Sequence, residues 1–183
     1  MHHPATFPAL ILAATLTLMP LAQAGTPALD FSDTDLVRQF RVIDDAVMGG
    51  VSASRLVSVT GAMAFEGTVS LESNGGFASF RGPARFPAPA AVLLLTVRGD
   101  GQRYKLTLRP DDRAGSSQYQ AAFTAPRQWQ TLRFEPASFT ASFRGRPVTA
   151  PALRFADMRH VGVLISDRQA GPFRIELKDI RVE

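Results

Sequence analysis

Met63-Ala-Phe65-Glu-Gly-Thr-Val69-Ser-Leu71 carries its apolar residues on odd positions, and this stretch decides the reading of the fold. Successive side chains of an extended chain point to opposite faces, so a period of two puts one face on a core and the other in water. Tyr104-Lys-Leu106-Thr-Leu108 and Phe173-Arg-Ile175-Glu-Leu177 repeat the pattern, and Tyr119-Gln-Ala-Ala-Phe123 follows it more loosely. Such alternation marks antiparallel strands with one wet face. Ala91 to Val97 (AVLLLTV) is apolar on both parities and reads as a central strand covered on both sides; Val161 to Ile165 (VGVLI) is a second candidate. Turn signals separate the runs: Asn74-Gly75-Gly76, Gly99-Asp100-Gly101, Pro110-Asp111-Asp112, Arg144-Gly145-Arg146-Pro147 and Ala170-Gly171-Pro172. Asn-Gly and Asp-Gly supply the positive φ angles of tight hairpins. No segment sustains a period of 3.6, although Asp33 to Phe40 has room for one or two helical turns with Ser32 or Asp33 as N-cap. Many short, evenly spaced strands predict an all-β, mostly antiparallel sandwich or jelly roll. The Pro-rich piece Pro83 to Pro89 reads as an exposed connection, and neither a repeat nor a linker divides the chain.

The chain is 183 residues long, 45% hydrophobic and 20% charged, which suits one globular domain with a full core. It contains no Cys, which excludes disulfides, thiolate metal sites and thiol nucleophiles. Residues 1–24 are expected to be an export signal rather than part of the domain. Ala9 to Met19 is an uncharged apolar run, Pro20 follows it, and Ala22-Gln23-Ala24 sets small residues where a signal peptidase cuts. Cleavage after Ala24 would leave residues 25–183 as one exported, periplasmic or secreted domain with no transmembrane anchor. The run is shorter than the roughly 20 residues of a membrane span, and the first Arg is Arg38, unlike an Arg-rich mitochondrial presequence. The formal net charge is +4. The basic residues are almost all Arg, with Lys only at 105 and 178, and they are dispersed. Nucleic-acid binding calls for a clustered footprint and is not expected; weak attraction to anionic membranes or polysaccharides is compatible with the charge.

Four segments stand apart from the strand pattern. They are Asp44-Asp45-Ala-Val-Met48-Gly49-Gly50-Val51-Ser52; Asn74-Gly75-Gly76-Phe77-Ala78-Ser79-Phe80-Arg81; Val97-Arg98-Gly99-Asp100-Gly101-Gln-Arg103-Tyr104; and a distributed set of Trp129, Phe139 to Arg146, and Ile165-Ser166-Asp167 with Gly171-Pro172-Phe173. In this order they resemble the complex I intermediate-associated protein 30 family, over about Phe31 to the C-terminus. The resemblance implies a galactose-binding-like β-sandwich without catalysis. It also implies an assembly-factor or chaperone-like role, here toward an envelope or respiratory-complex protein. An export signal departs from a mitochondrial matrix role.

The expected binding surface comprises Asp44, Asp45, Asn74, Arg81, Asp100, Arg103, Tyr104 and Trp129. Adjacent carboxylates on a strand face opposite ways, so one of Asp44 and Asp45 is expected in solvent and the other inward. An inward acid needs a partner, and Arg81 or Arg98 would serve. A calcium site at Asp44 or Asp45 is conceivable, yet no EF-hand spacing is present and no metal or cofactor is expected. Gly49-Gly50 and Gly75-Gly76 provide positive φ or close approach, and Asp100 is mainly a hairpin residue. Trp129 and Tyr104 read as core, or alternatively as stacking platforms of a carbohydrate-binding module that also uses Asp45 and Arg81. An enzyme is not expected. There is no Gly-x-Ser-x-Gly elbow, and neither a phosphate loop nor a dinucleotide fingerprint. His160 reads as a strand-end residue; Asp45 with Asp100 or Asp167 would need a deep cleft to act as a carboxylate pair.

Overall fold

The computed structural model describes residues 27–111, 113 and 116–183. The expected signal segment lies outside them. The chain folds into two antiparallel sheets packed face to face, a jelly-roll-like sandwich, as the alternation predicted. In the six-stranded sheet the order is β3 (Ala53–Val59), β4 (Ala62–Val69), β13 (Gly171–Val182), β6 (Leu93–Gly99) and β9 (Gln130–Phe134), with β1 (Leu29–Asp30) also beside β13. The seven-stranded sheet runs β11 (Arg146–Pro147), β10 (Thr140–Phe143), β8 (Gln118–Thr124), β7 (Arg103–Arg109), β12 (His160–Ile165), β5 (Ala78–Pro83) and β2 (Arg41–Asp44). Among the described residues helix is confined to α1 (Thr34–Val37) and short 3-10 turns; α1 is capped by Asp33, whose Oδ1 accepts the Asp35 N–H at 2.9 Å. Among the described residues no helix is long and apolar enough to cross a membrane.

Period-two alternation delivers the core. Phe173, Ile175 and Leu177 of β13 are buried against β4, and Tyr104, Leu106 and Leu108 of β7 fill the opposite layer. The strand β13 changes parity at a bulge between Leu177 and Asp179, after which Ile180 points inward. One extra residue flips every later side chain, which lets a twelve-residue strand serve both halves of its sheet. Aromatic ring contacts, mostly edge-to-face with Tyr104 stacked on Phe123, then run unbroken from Phe31 through Phe40, Phe80, Phe65, Phe173, Tyr104, Phe123, Phe134 and Phe139 to Phe155.

Three expectations need correction. β6 buries only Leu93, Leu95 and Val97; Leu94 and Thr96 are half-buried, because no third layer covers the outer face of its sheet. The Pro-rich segment is an exposed connection only in part, since Ala84 and Phe86 are buried and anchor it to the core. Trp129 is not core: its side chain stays 37% exposed.

Candidate functional site

The strand β2 ends at Asp44, and the chain turns through a 3-10 segment at Asp45–Met48 that Gly49 stops with a φ of 89°. Asp45 is fully buried. Its partners are not Arg81 or Arg98 but neutral donors. Oδ1 accepts the Ser52 N–H at 2.9 Å, while Oδ2 accepts the Ser52 hydroxyl at 2.5 Å and the N–H groups of Gly76 at 2.6 Å and Phe77 at 3.2 Å. Ser52 Oγ in turn accepts the Ser70 N–H at 2.9 Å. A buried carboxylate is stable only with such donors around it. Burial by itself would raise the Asp45 carboxyl, but the hydrogen bonds from Ser52, Gly76 and Phe77 outweigh it and hold the group below the ordinary aspartate value. A Cβ on Gly50 would meet Asp45 Oδ1 at 2.3 Å, and one on Gly75 would meet Oδ2 at 2.6 Å. The glycine pairs of the first two motifs therefore admit the backbone to this one carboxylate.

Asp44 is half-buried rather than solvated. It accepts the Ser54 N–H at 2.9 Å and the Ser54 hydroxyl at 2.6 Å. Two consecutive acids thus clamp two serines at the far end of the same loop. Between the clamps the loop presents Val47, Met48 and Val51 at 72%, 65% and 54% exposure. Sequence reading set this segment apart but singled out none of these three residues. Their signal was an apolar Val-Met before Gly-Gly and Val51 after it, in a segment too glycine-rich to be a strand. Asn74 stands beside this assembly, exposed and with a φ of 60°.

The third motif builds a separate structural hub. Asp100 Oδ2 accepts the Tyr104 hydroxyl at 2.9 Å and the Arg174 N–H at 2.8 Å, and Oδ1 accepts the Gln102 N–H at 2.9 Å. Tyr104 is 1% exposed; its hydroxyl is driven to a raised pKa by burial first and then by the Asp100 charge. Tyr104 is therefore core and no stacking platform. Arg103 is exposed and is tied through its backbone to Gln169, which accepts its N–H at 3.0 Å and donates to its carbonyl at 2.7 Å. Trp129 lies under the Arg98 guanidinium, 4.9 Å from the ring centre. The eight predicted residues therefore do not form one surface. Asp44, Asp45 and Asn74 gather at the first loop, Asp100, Arg103 and Tyr104 at the third motif, Trp129 beside Arg98, and Arg81 on β5 of the seven-stranded sheet.

The outer face of the six-stranded sheet carries a ladder of opposite charges. Across β3, β4, β13 and β6 the six-stranded sheet alternates Arg55, Glu66, Arg174, Glu176 and Arg98. Arg98 Nη2 lies 2.7 Å from Glu176, Arg174 Nη2 lies 2.8 Å from Glu176, and Arg174 also meets Glu66. On the seven-stranded sheet Arg41 stands directly opposite Arg81. Lys105 on the same face is paired with Asp167 at 2.7 Å. Among the described residues no group of three or more His, Asp or Glu side chains is gathered to hold a metal ion.

Solved structures with a similar arrangement include carbohydrate-binding modules and an agarase. The family 11 carbohydrate-binding module of a cellulosomal cellulase of Clostridium thermocellum aligns at a TM-score of 0.61 with 13% identity, covering 86% of this chain and 96% of that one. The same module in complex with a mixed-linked tetrasaccharide gives 0.58 and 14% identity, again over 86% and 96%. An agarase gives 0.55 at 11% identity, over 87% of this chain and 26% of the enzyme. At these identities the likeness establishes the shared β-sandwich and nothing finer. No curated protein matches the chain. The model of one family matches residues 29–177, a span that includes the braced loop and the turns just described: the chain belongs to the complex I intermediate-associated protein 30 (CIA30) family.

Proposed function

We propose that this chain is a non-catalytic, exported binding module of the assembly-factor kind, which engages a protein partner through the loop between Asp45 and Ser52. One observation carries the reading. Val47, Met48 and Val51 project from a loop whose base is fixed by a buried carboxylate and two motif segments. Exposed apolar side chains on a preformed support lose little conformational freedom on docking, which is how a small contact becomes a binding anchor. Family membership supports the assembly-factor character, and the residue 1–24 signal supports an envelope partner. A photo-crosslinker placed at Met48 in the full-length chain, expressed in its own host, tests this. One discrete protein adduct should form, and Val47→Ser with Val51→Ser should abolish it while the melting temperature stays unchanged. An absence of any adduct, or one insensitive to those changes, rejects the loop as the docking element. Mass spectrometry of the mature protein should begin at Gly25.

Glycan binding is the second reading. The carbohydrate-binding modules that share the fold support it at that level. The observation that favours it is the neighbouring pair of accessible polar side chains Gln120 and Thr140, paired across β8 and β10 on the outer face of the seven-stranded sheet. The contact set first expected for a sugar is not assembled, since Asp45 and Tyr104 are buried, while Trp129 sits in the loop before β9 of one sheet and Arg81 on β5 of the other.

A further inference from the structure

We propose that Met48 is a redox modification site: a peroxide converts its thioether to the sulfoxide and thereby switches off docking by the Asp45–Ser52 loop. The inference rests on the docking reading above and adds a regulation to that same loop. The chain has no Cys, so its sulfur chemistry is confined to five Met. Three of them, Met48, Met63 and Met158, are among the described residues, and the fold treats them oppositely. Met63 on β4 is 0% exposed and Met158, after the 3-10 turn Phe155–Asp157, is 3% exposed, whereas Met48 is 65% exposed. Sulfur oxidation follows access to the oxidant. One sulfur is therefore open to a water-soluble peroxide, and two are shielded by the core.

The position of this sulfur gives the modification its consequence. Met48 closes the 3-10 segment that begins at Asp45, directly after Val47, and only Gly49-Gly50 separates it from Val51. It is thus the middle one of the three exposed apolar residues. In the reaction a sulfur lone pair attacks one oxygen of the peroxide. The O–O bond breaks, an S–O bond forms and sulfur gives up two electrons. The proton of the attacked oxygen passes to the departing hydroxide, which leaves as water. The product is a polar, chiral group at the centre of an apolar tip. Docking would then strip water from a strong acceptor without returning a hydrogen bond, which opposes burial. The base of the loop does not depend on the sulfur, because Ser52, Gly76 and Phe77 hold the Asp45 carboxylate. Sulfoxidation removes the anchor and spares the scaffold. A methionine sulfoxide reductase reverses the change, two thiols becoming a disulfide while the oxygen leaves as water.

The test moves the photo-crosslinker to the exposed Ala46, which leaves Val47, Met48 and Val51 in place. The protein purified from its own host is treated with hydrogen peroxide until its mass rises by one oxygen, then irradiated in host extract. Peptide mapping should put that oxygen on Met48, with the melting temperature unchanged. The adduct should fall by about tenfold and return after treatment with both methionine sulfoxide reductases and dithiothreitol. In Met48→Leu the adduct yield, whatever its level, should be the same with and without peroxide. Oxygen arriving first on Met63 or Met158, or an adduct that persists once Met48 is oxidised, overturns the inference and leaves the docking loop standing. A peroxide effect that survives in Met48→Leu overturns it equally, since another group would then be responsible. No adduct from the untreated chain instead rejects the docking reading, and the regulation falls with it.

Discussion

Asp45 is an acid that folding strengthens although it is buried, because its oxygens receive more from donors than they lose with water. Removing it strands several buried donors, each worth roughly 1–3 kcal/mol when unsatisfied. Asp45→Ala should therefore cost about 2–4 kcal/mol in urea denaturation, and Ser52→Ala less, since Gly76 and Phe77 still bind the carboxylate. The folded carboxyl titrates below its ordinary value of 3.8. Its stabilisation is thus complete above about pH 4 and fades as the pH falls through the lower folded value. In an acid titration of stability, Asp45→Asn should flatten that limb relative to the natural chain. Sequence reading expected an inward acid at this pair and read the flanking glycines as sites of positive φ or close approach, without tying them to the acid. It named the wrong partner, because opposite charge is visible in a sequence while backbone N–H groups, carried by every residue, are not. Val47, Met48 and Val51 escaped for a related reason: apolar residues predict burial, and only the bracing of the loop keeps these three outside.

At the scale of the element, β13 shows how alternation can be both legible and incomplete. Its Phe173-Arg-Ile175-Glu-Leu177 pattern predicted one buried face, and that face is buried. The outward Glu176 is nevertheless only 8% exposed, covered by Arg174 and Arg98 on the same sheet face. Burial acts to raise the Glu176 carboxyl, but hydrogen bonds from Arg174 and Arg98 overcome it and leave it lowered. Exposed ion pairs contribute little, whereas removing one partner of a buried pair leaves an uncompensated charge. Glu176→Ala should accordingly destabilise by about 2–3 kcal/mol, and Arg55→Ala, at the exposed end of the same row, by less than about 1 kcal/mol. Thermal melts at low and high salt separate the two, since only the exposed pair should be screened. The bulge at Lys178 left no mark in the residue pattern. Its cause is non-local: the C-terminal half of β13 must turn Ile180 toward the core while keeping register with β6.

Across the whole molecule, the sheets are joined less by strand crossovers than by rings. Phe80 from the seven-stranded sheet meets Phe65 from the six-stranded one at 5.0 Å between centroids, and Tyr104 meets Phe173 across the same gap at 6.5 Å. The spacing of aromatic residues along alternating strands foretold that they would be inside; their mutual contacts depend on sheet order, which one sequence does not disclose. Truncating a fully buried ring of this size costs about 3–5 kcal/mol through lost transfer energy and the cavity left behind, so Phe65→Ala should lower the urea midpoint by that equivalent. Because the chain of rings passes back and forth between the layers from Phe31 to Phe155, there is no seam along which one sheet can part from the other. Backbone and aromatic circular dichroism should then vanish at a single temperature, and a loop that docks another protein would be held by a scaffold that is either whole or gone.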